Sequence, residues 1–254
     1  FFDVGQGDSI FIEAPNGNQV LIDGGPDNAV LQKLGEVMPF YDRDIDLVVL
    51  THPHLDHYDG LIEVLNRYEV AGIMEAREEP KEGGLSAGFS AWRGAVKKEG
   101  ANEIEPIAGK VIDLGNGAEL TVLHPFGSVA GDRPSNVHDD VVAAMLRYGS
   151  FEVMLTGDME EKVERRLIMA GEVLDSDVLK VGHHGSKTSS SEAFLAAVSP
   201  KVAVISVGAK NRYGHPSPIV LDRLENFNIP YYRTDIDGDI KLVGDGTNFA
   251  ISNY

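Results

Sequence analysis

No cysteine occurs among the 254 residues. Disulfides and thiolate metal sites are therefore excluded, so histidine and carboxylate must do any ligation, and the compartment stays open. No apolar run approaches the roughly 20 residues that a membrane-spanning helix needs. Basic residues are scarce: 22 Lys and Arg stand against 40 Asp and Glu, a formal net charge of −18. Such a field repels polyanions at long range, so no stable coating of nucleic acid is expected. Phosphate chemistry on this chain would rest on local metal ions and a few placed basic groups. An initiator methionine is also missing. The chain opens Phe1-Phe2-Asp3, apparently inside a strand, as expected of a trimmed, processed or excised piece whose targeting information lies elsewhere. Internal repeats and low-complexity linkers are absent. With 43% hydrophobic and 24% charged residues, the rest is ordinary for a globular protein, and we read residues 1–254 as a single domain.

The densest chemistry is Thr51-His52-Pro53-His54-Leu55-Asp56-His57, directly after the apolar run Leu47-Val48-Val49-Leu50. Pro53 disfavours helix at His52 and gives no N–H to a ladder, so the stretch reads as a loop leaving a strand tip. In such a loop His52 and His54 could share one metal while Asp56 and His57 face a second. Imidazole suits zinc and other borderline metals, and the carboxylate admits a harder ion such as manganese. The competing reading is a polar loop rich in histidine by chance. With eight histidines in the whole chain, three within six residues argue against it.

Periodicity predicts strands over 9–13 and 19–22 about a turn at Pro15-Asn16-Gly17-Asn18, then over 46–50, 118–123, 141–148, 151–155, 178–181 and 202–207. Short strands are expected around Tyr231, Ile240 and Phe249. Helices are expected over 29–38, 59–68, 89–98, 160–169, 192–198 and 218–227, with an exposed loop over 78–84. The pattern supports α/β or α+β, with sheets packed together and covered by helices.

Four further points carry polar residues at strand ends. Asp158, in Leu155-Thr156-Gly157-Asp158, could reach between two metals or simply cap the next helix. His183 and His184 lie between glycines, and at least one is expected to ligate. Ser186-Lys187-Thr188-Ser189 opens a helix, with Ser189 and Glu192 at capping-box spacing; free N–H groups and Lys187 would suit a phosphate, though capping alone accounts for the serines. His215, in Asn211-Arg212-Tyr213-Gly214-His215-Pro216, is suited to donating a proton or hydrogen bond, or is a solvent-exposed loop residue.

Together, His52-x-His54-x-Asp56-His57, Thr156-Gly157-Asp158 and His183-His184-Gly185-Ser186 resemble the metallo-β-lactamase fold superfamily. The finer resemblance is to the hydrolase (nuclease) domain of ComEC-type competence proteins. It is carried by Phe2-Asp3-Val4-Gly5-Gln6-Gly7-Asp8-Ser9, Leu21-Ile22-Asp23-Gly24-Gly25, the run from Asp177 to Ser186, Asn211 to Pro216, and Tyr232-Arg233-Thr234-Asp235. The resemblance implies an αβ/βα sandwich, two mixed sheets flanked by helices, with a dinuclear site at one edge. It implies His52 and His54 on one ion, Asp56 and His57 on the other, Asp158 bridging, and His183 or His184 completing the second. For the remaining ligand of the first ion this chain offers His138 or Asp139, where such domains more often have an asparagine-rich stretch; we favour His138. His124 reads as structural.

Two divalent ions, zinc or manganese, would lower the pKa of a bound water toward ~7 and hold the hydroxide against an electrophilic centre. Asp56, His215 and Lys187 are the catalytic candidates, with His215 contacting substrate or protonating the leaving group and Lys187 contacting phosphate. Asp23 is expected to support the metal histidines, and Ser186, Asn211 and Tyr213 to contact substrate. The expected function is a metal-dependent phosphodiester hydrolase, a DNA nuclease of competence and DNA uptake. A membrane channel region would be its partner, and the resemblance implies the extracytoplasmic face of the membrane. The rivals are hydrolysis of a small phosphodiester or phosphorylcholine-type ester, and a metal-poor binding domain.

Overall fold

Alternation with period two in the short apolar runs decides how this chain is layered. The computed structural model describes residues 1–76, 87–132 and 136–253, and the loop expected over 78–84 lies outside them. Strand β1 (Ile10–Glu13) turns into β2 (Gln19–Ile22); helix α1 (Ala29–Val37) leads to β3 (Asp44–Leu50), and helix α2 (Leu55–Leu65) to β4 (Glu69–Glu75). Helix α3 (Ala87–Glu99) and β5 (Asn102–Ile104) follow. These strands form a sheet in the order β1-β2-β3-β4-β5, antiparallel at β1–β2 and parallel elsewhere.

The second sheet begins as an antiparallel meander, β6 (Val111–Gly115), β7 (Ala118–His124), β8 (Ala143–Tyr148) and β9 (Phe151–Leu155). It continues in parallel through helix α4 (Glu161–Ala170), β10 (Val178–Lys180), α5 (Glu192–Val198), β11 (Val202–Ile205), α6 (Pro218–Asn226) and β12 (Tyr231–Arg233). Its order is β12-β11-β10-β9-β8-β7-β6. A short helix α7 (Thr234–Asp237) and a hairpin of β13 (Ile240–Gly244) and β14 (Phe249–Asn253) end the described chain.

Val20, Ile22, Leu47 and Val49 point into a core shared with Leu120, Val122, Val153, Leu155, Val202 and Val204 of the facing sheet. The alternate residues Leu21, Val48 and Leu50 pack outward against Leu34 of α1, Leu61 and Val64 of α2 and Trp92 of α3. On the other side, Met154, Leu179, Ala203 and Ile205 face Val163 and Leu167 of α4, Phe194 of α5 and Leu224 of α6. The result is two mixed sheets between two helical layers, as the resemblance implied. No helix among the described residues is long and apolar enough to cross a membrane.

Two expectations are corrected. Helix α2 starts at Leu55, four residues before the expected start. Pro53 restrains His52 only; beyond it nothing opposes helix, and His57 and Tyr58 gain burial by joining the face that carries Leu61. The proposed Ser189–Glu192 capping box does not form. Ser191 caps α5 by accepting from the N–H of Phe194 at 3.3 Å, while the Ser189 hydroxyl donates to the carbonyl of Gly182 at 2.7 Å.

His124 ends β7 fully buried, its Nδ1–H donating to the carbonyl of Val141 at 2.8 Å. Burial lowers its pKa to about 4. Because the folded value lies below the unfolded one of about 6.5, the unfolded chain binds the extra proton between them, and stability falls as pH drops through that window. The His124 contribution to this loss is on the order of 3 kcal/mol. Urea unfolding at pH 7 and pH 4.5 should therefore show a shallower pH dependence in His124→Gln than in the wild type. Equal slopes would remove His124 from the balance.

Candidate metal centre

The candidate side chains converge because they leave the ends of strands in both sheets. His52 follows β3, Asp158 follows β9, and His183 and His184 follow β10. His54 occupies the N-cap position of α2, and Asp56 and His57 lie in its first turn. Two glycines permit this convergence. A Cβ at Gly7 (φ +130°) would lie 2.1 Å from the carbonyl oxygen of Asp56, so the Gln6-Gly7-Asp8 turn touches the backbone at the start of α2. A Cβ at Gly60 would lie 2.0 Å from the carbonyl oxygen of Gly24, so α2 also sits directly on the turn after β2. His183 and His184 both have left-handed backbones, φ +46° and +52°. That conformation costs a non-glycine residue roughly 1–3 kcal/mol, and it points successive rings to different sides of the centre.

One set of donors comprises His52, His54, His138 and Asp158, and an adjoining set Asp56, His57 and His184, the donor atoms of each lying within 4.8 Å of one another. Asp158 joins them. Its Oδ2 is 3.7 Å from His52 Nε2, 3.9 Å from His138 Nε2 and 3.5 Å from His57 Nε2, and its Oδ1 is 3.5 Å from His184 Nε2. His184 Nε2 also lies 3.6 Å from Asp56 Oδ2. The far sides of the rings are held. His57 Nδ1 bonds Asp23 at 2.8 Å, His52 Nδ1 bonds Thr51 Oγ1 at 3.1 Å, and His184 Nδ1 bonds the carbonyl of Ser206 at 3.0 Å. Asp23 also accepts from the N–H and hydroxyl of Thr51, which ties the support of both rings to one carboxylate. The inward atoms His52 Nε2, His57 Nε2, His184 Nε2 and Asp158 Oδ1 are buried with no hydrogen-bond partner among the described residues. Buried polar atoms normally have partners, and fixing one ring nitrogen so that the other faces inward is how proteins present histidine to a metal. The residues fit a pair of divalent ions.

The electrostatics agree. Burial lowers the pKa of His52, His54 and His138, the last to about 4, leaving neutral imidazoles with free lone pairs. His57 and His184 also meet burial, but Asp158 and Asp23 push His57 up, and Asp158, Asp56 and Asp8 push His184 up to about 9. The carboxylates thus call for positive charge at the position a cation would take.

His138 lies 3.3 Å from His54, whereas Asp139 accepts from Lys162 of α4 at 2.6 Å, so of these two only His138 joins the first set. Of the histidine pair, His184 joins the second set. His183 faces His138 and bonds Glu160 through Nδ1 at 3.1 Å. Glu160 was not expected; it precedes α4, where a capping role hides it, and it is anchored by Thr188 at 2.7 Å and Asn136 at 2.9 Å. Asp8 was likewise not singled out. It is buried beneath the second set, 2.5 Å from Lys180 Nζ and 3.4 Å from His184 Nδ1. Lys180 draws its pKa down to about 2 against the effect of burial.

The expected substrate contacts sit at the rim. Lys187 is exposed, and Ser186 is buried and bonded to Thr188 at 2.9 Å. The Asn211 side chain is committed to its own loop: its amide donates to the carbonyls of Gly208 and His215 and its oxygen accepts from the N–H groups of Tyr213 and His215. It shapes the loop and has no end left for a substrate. His215 packs edge-on against His183 with centroids 5.8 Å apart, and Tyr213 stacks on its other side. Burial and then His183 lower the His215 pKa.

Against known families, the Metallo-beta-lactamase superfamily matches residues 2–209. Among curated proteins the chain is similar to ComE operon protein 3 of Bacillus subtilis, 31% identical over 94% of this chain and 32% of that protein. It is also similar to Competence protein ComA of Neisseria gonorrhoeae, 30% identical over 95% of this chain and 31% of that protein. The chain thus spans about a third of the length of these relatives. Among solved structures, a metallo hydrolase from Ignicoccus hospitalis aligns with a TM-score of 0.56 at 13% identity, covering 100% of this chain and 98% of that one, a likeness of fold.

Proposed function

This chain belongs to the metallo-beta-lactamase superfamily, and we propose that it is a metal-dependent phosphodiester hydrolase, a DNA nuclease working in competence and DNA uptake. The observation that carries the reading is the pair of ligand sets sharing Asp158, with buried inward donor atoms that have no other partner among the described residues. Two divalent ions bound there, zinc or manganese, would supply Lewis acidity toward the phosphoryl oxygens and an activated water at neutral pH.

His52, His54 and His138 would hold one ion, Asp56, His57 and His184 the other, with Asp158 between them. Asp23 keeps the rings of His52 and His57 aimed through Thr51 and directly. His215, a neutral ring at the open side, contacts the substrate, and Lys187 meets the phosphate. Hydrolysis of a phosphodiester depends mainly on positioning and charge, which this set of fixed rings provides.

The name of one relative, Competence protein ComA, favours DNA as substrate. With a net charge of −18 the protein attracts DNA poorly, so we infer that a membrane channel, in the same polypeptide or system, delivers the strand.

The test is hydrolysis of single-stranded DNA beside bis-p-nitrophenyl phosphate, with manganese, with zinc and with chelator. Cleavage of DNA that needs metal and disappears in Asp56→Ala is the expected result. Turnover of the small ester with DNA untouched would move the reading to a small-molecule phosphodiesterase, and silence on both, with no metal bound, to a binding domain.

A further inference from the structure

The loop between β11 and α6 carries a feature that metal binding leaves unused. Tyr213 is 71% exposed. Its ring lies nearly parallel to that of His215, 17° apart with centroids at 5.8 Å. His215 in turn meets His183 at 5.8 Å, and His183 meets the candidate ligand His138 at 4.3 Å. An unbroken row of rings therefore runs from solvent to the metal centre. The four hydrogen bonds of Asn211 hold the outer end of the row in place, so the Tyr213 ring is presented by a fixed loop.

Charge marks the same spot. Lys210 and Arg212 flank Asn211 on this loop, and Lys187 stands on the turn that the loop packs against, where Ser217 N–H donates to the carbonyl of Gly185 at 2.8 Å. All three are exposed and enter no ion pair among the described residues, as is also true of Lys97 and Lys241 elsewhere, but here three such cations share one loop and the turn it packs against. In so acidic a protein, free cations beside an exposed ring form the combination that grips an unpaired strand: charge for the backbone and a flat face for a base.

We propose that Tyr213, flanked by Lys210 and Arg212, is a stacking shelf for an unpaired nucleobase next to the scissile phosphate. The substrate is then a single strand or a frayed end, not an intact duplex. This rests on the phosphodiesterase reading above and names the substrate class of that site. A base on Tyr213 would put its own backbone along the cations and the neighbouring phosphate over the metal centre.

The experiment uses a single-stranded oligonucleotide with 2-aminopurine at the position next to the cleaved bond, and a twin that is abasic there. Wild-type protein should quench the 2-aminopurine fluorescence on binding, Tyr213→Trp should retain the quench, and Tyr213→Ala should lose it. In cleavage, Tyr213→Ala should raise KM for the base-bearing strand roughly ten- to hundredfold, and that penalty should vanish on the abasic twin. Tyr41→Ala, which changes another exposed ring just before β3 and so at the opposite end of that strand from the centre, should behave as wild type. A quench that survives in Tyr213→Ala, or an equal penalty on both strands, would overturn the shelf. If the wild type cleaves no DNA at all, the nuclease reading falls, and the fluorescence arm still decides whether Tyr213 stacks a base.

Discussion

Purified Asp158→Ala protein is expected to carry fewer metal ions per chain than the wild type, and to turn over a phosphodiester more than about a hundredfold more slowly. The size follows from position. Changing a residue that merely orients a metal ligand costs roughly 10- to 100-fold in affinity or activity. Asp158 is closer in: its two oxygens lie 3.5 to 3.9 Å from ring nitrogens of His52, His57, His138 and His184, on both sides of the seam between the two ligand sets. Metal content by mass spectrometry, measured with turnover, checks the prediction. Two ions per chain and activity within tenfold of wild type would take Asp158 out of the centre.

The largest effect on stability is expected at Lys180. This lysine sits fully buried in β10, its Nζ 2.5 Å from Asp8 and 2.9 Å from the carbonyl of Gly157. Lys180→Met would leave the Asp8 carboxylate buried without its cation, and breaking a buried pair from one side costs about 3–5 kcal/mol. The double variant Lys180→Met with Asp8→Asn removes both charges and should recover part of that loss, because much of the penalty is the stranded charge and not the missing attraction. Denaturant midpoints of the two single variants and the double one give the coupling directly. A Lys180→Met protein as stable as the wild type would mean that water reaches Asp8.

How much of this was legible in the sequence depended on how local each cause was. The His52 to His57 cluster could be read because its ligands crowd one short segment after a strand. The strands around Val20, Val48, Val153 and Val204 could be read because each carries apolar residues on alternate or continuous positions. Strand β4 escaped because Gly72 interrupts its pattern, and β5 because Asn102-Glu103-Ile104 has hardly any apolar content; both exist through pairing with a neighbour. The early start of α2 escaped because the pull on His57 comes from Asp23, 34 positions away in the chain. Glu160 and Asp8 are ordinary turn carboxylates until the fold brings His183 and Lys180 to them. Asn211, next to the candidate proton donor, attracted a substrate role that its four hydrogen bonds within the loop leave no atom to fill.

The origin of the ligands has a thermodynamic consequence. His52, His54, Asp56 and His57 come from the half of the chain built on the first sheet, and His138, Asp158 and His184 from the half built on the second. Neither half alone holds a complete set for both ions. Any cation seated between them binds the assembled sandwich and has no equivalent site in the unfolded chain, so its binding free energy adds to the cohesion of the two layers. Each tenfold rise of free metal above its dissociation constant then adds about 1.4 kcal/mol to the work of pulling the sheets apart. Bound metal would make the centre a rivet as much as a reagent, and would tie the resistance of this fold to heat to the metal supply around it.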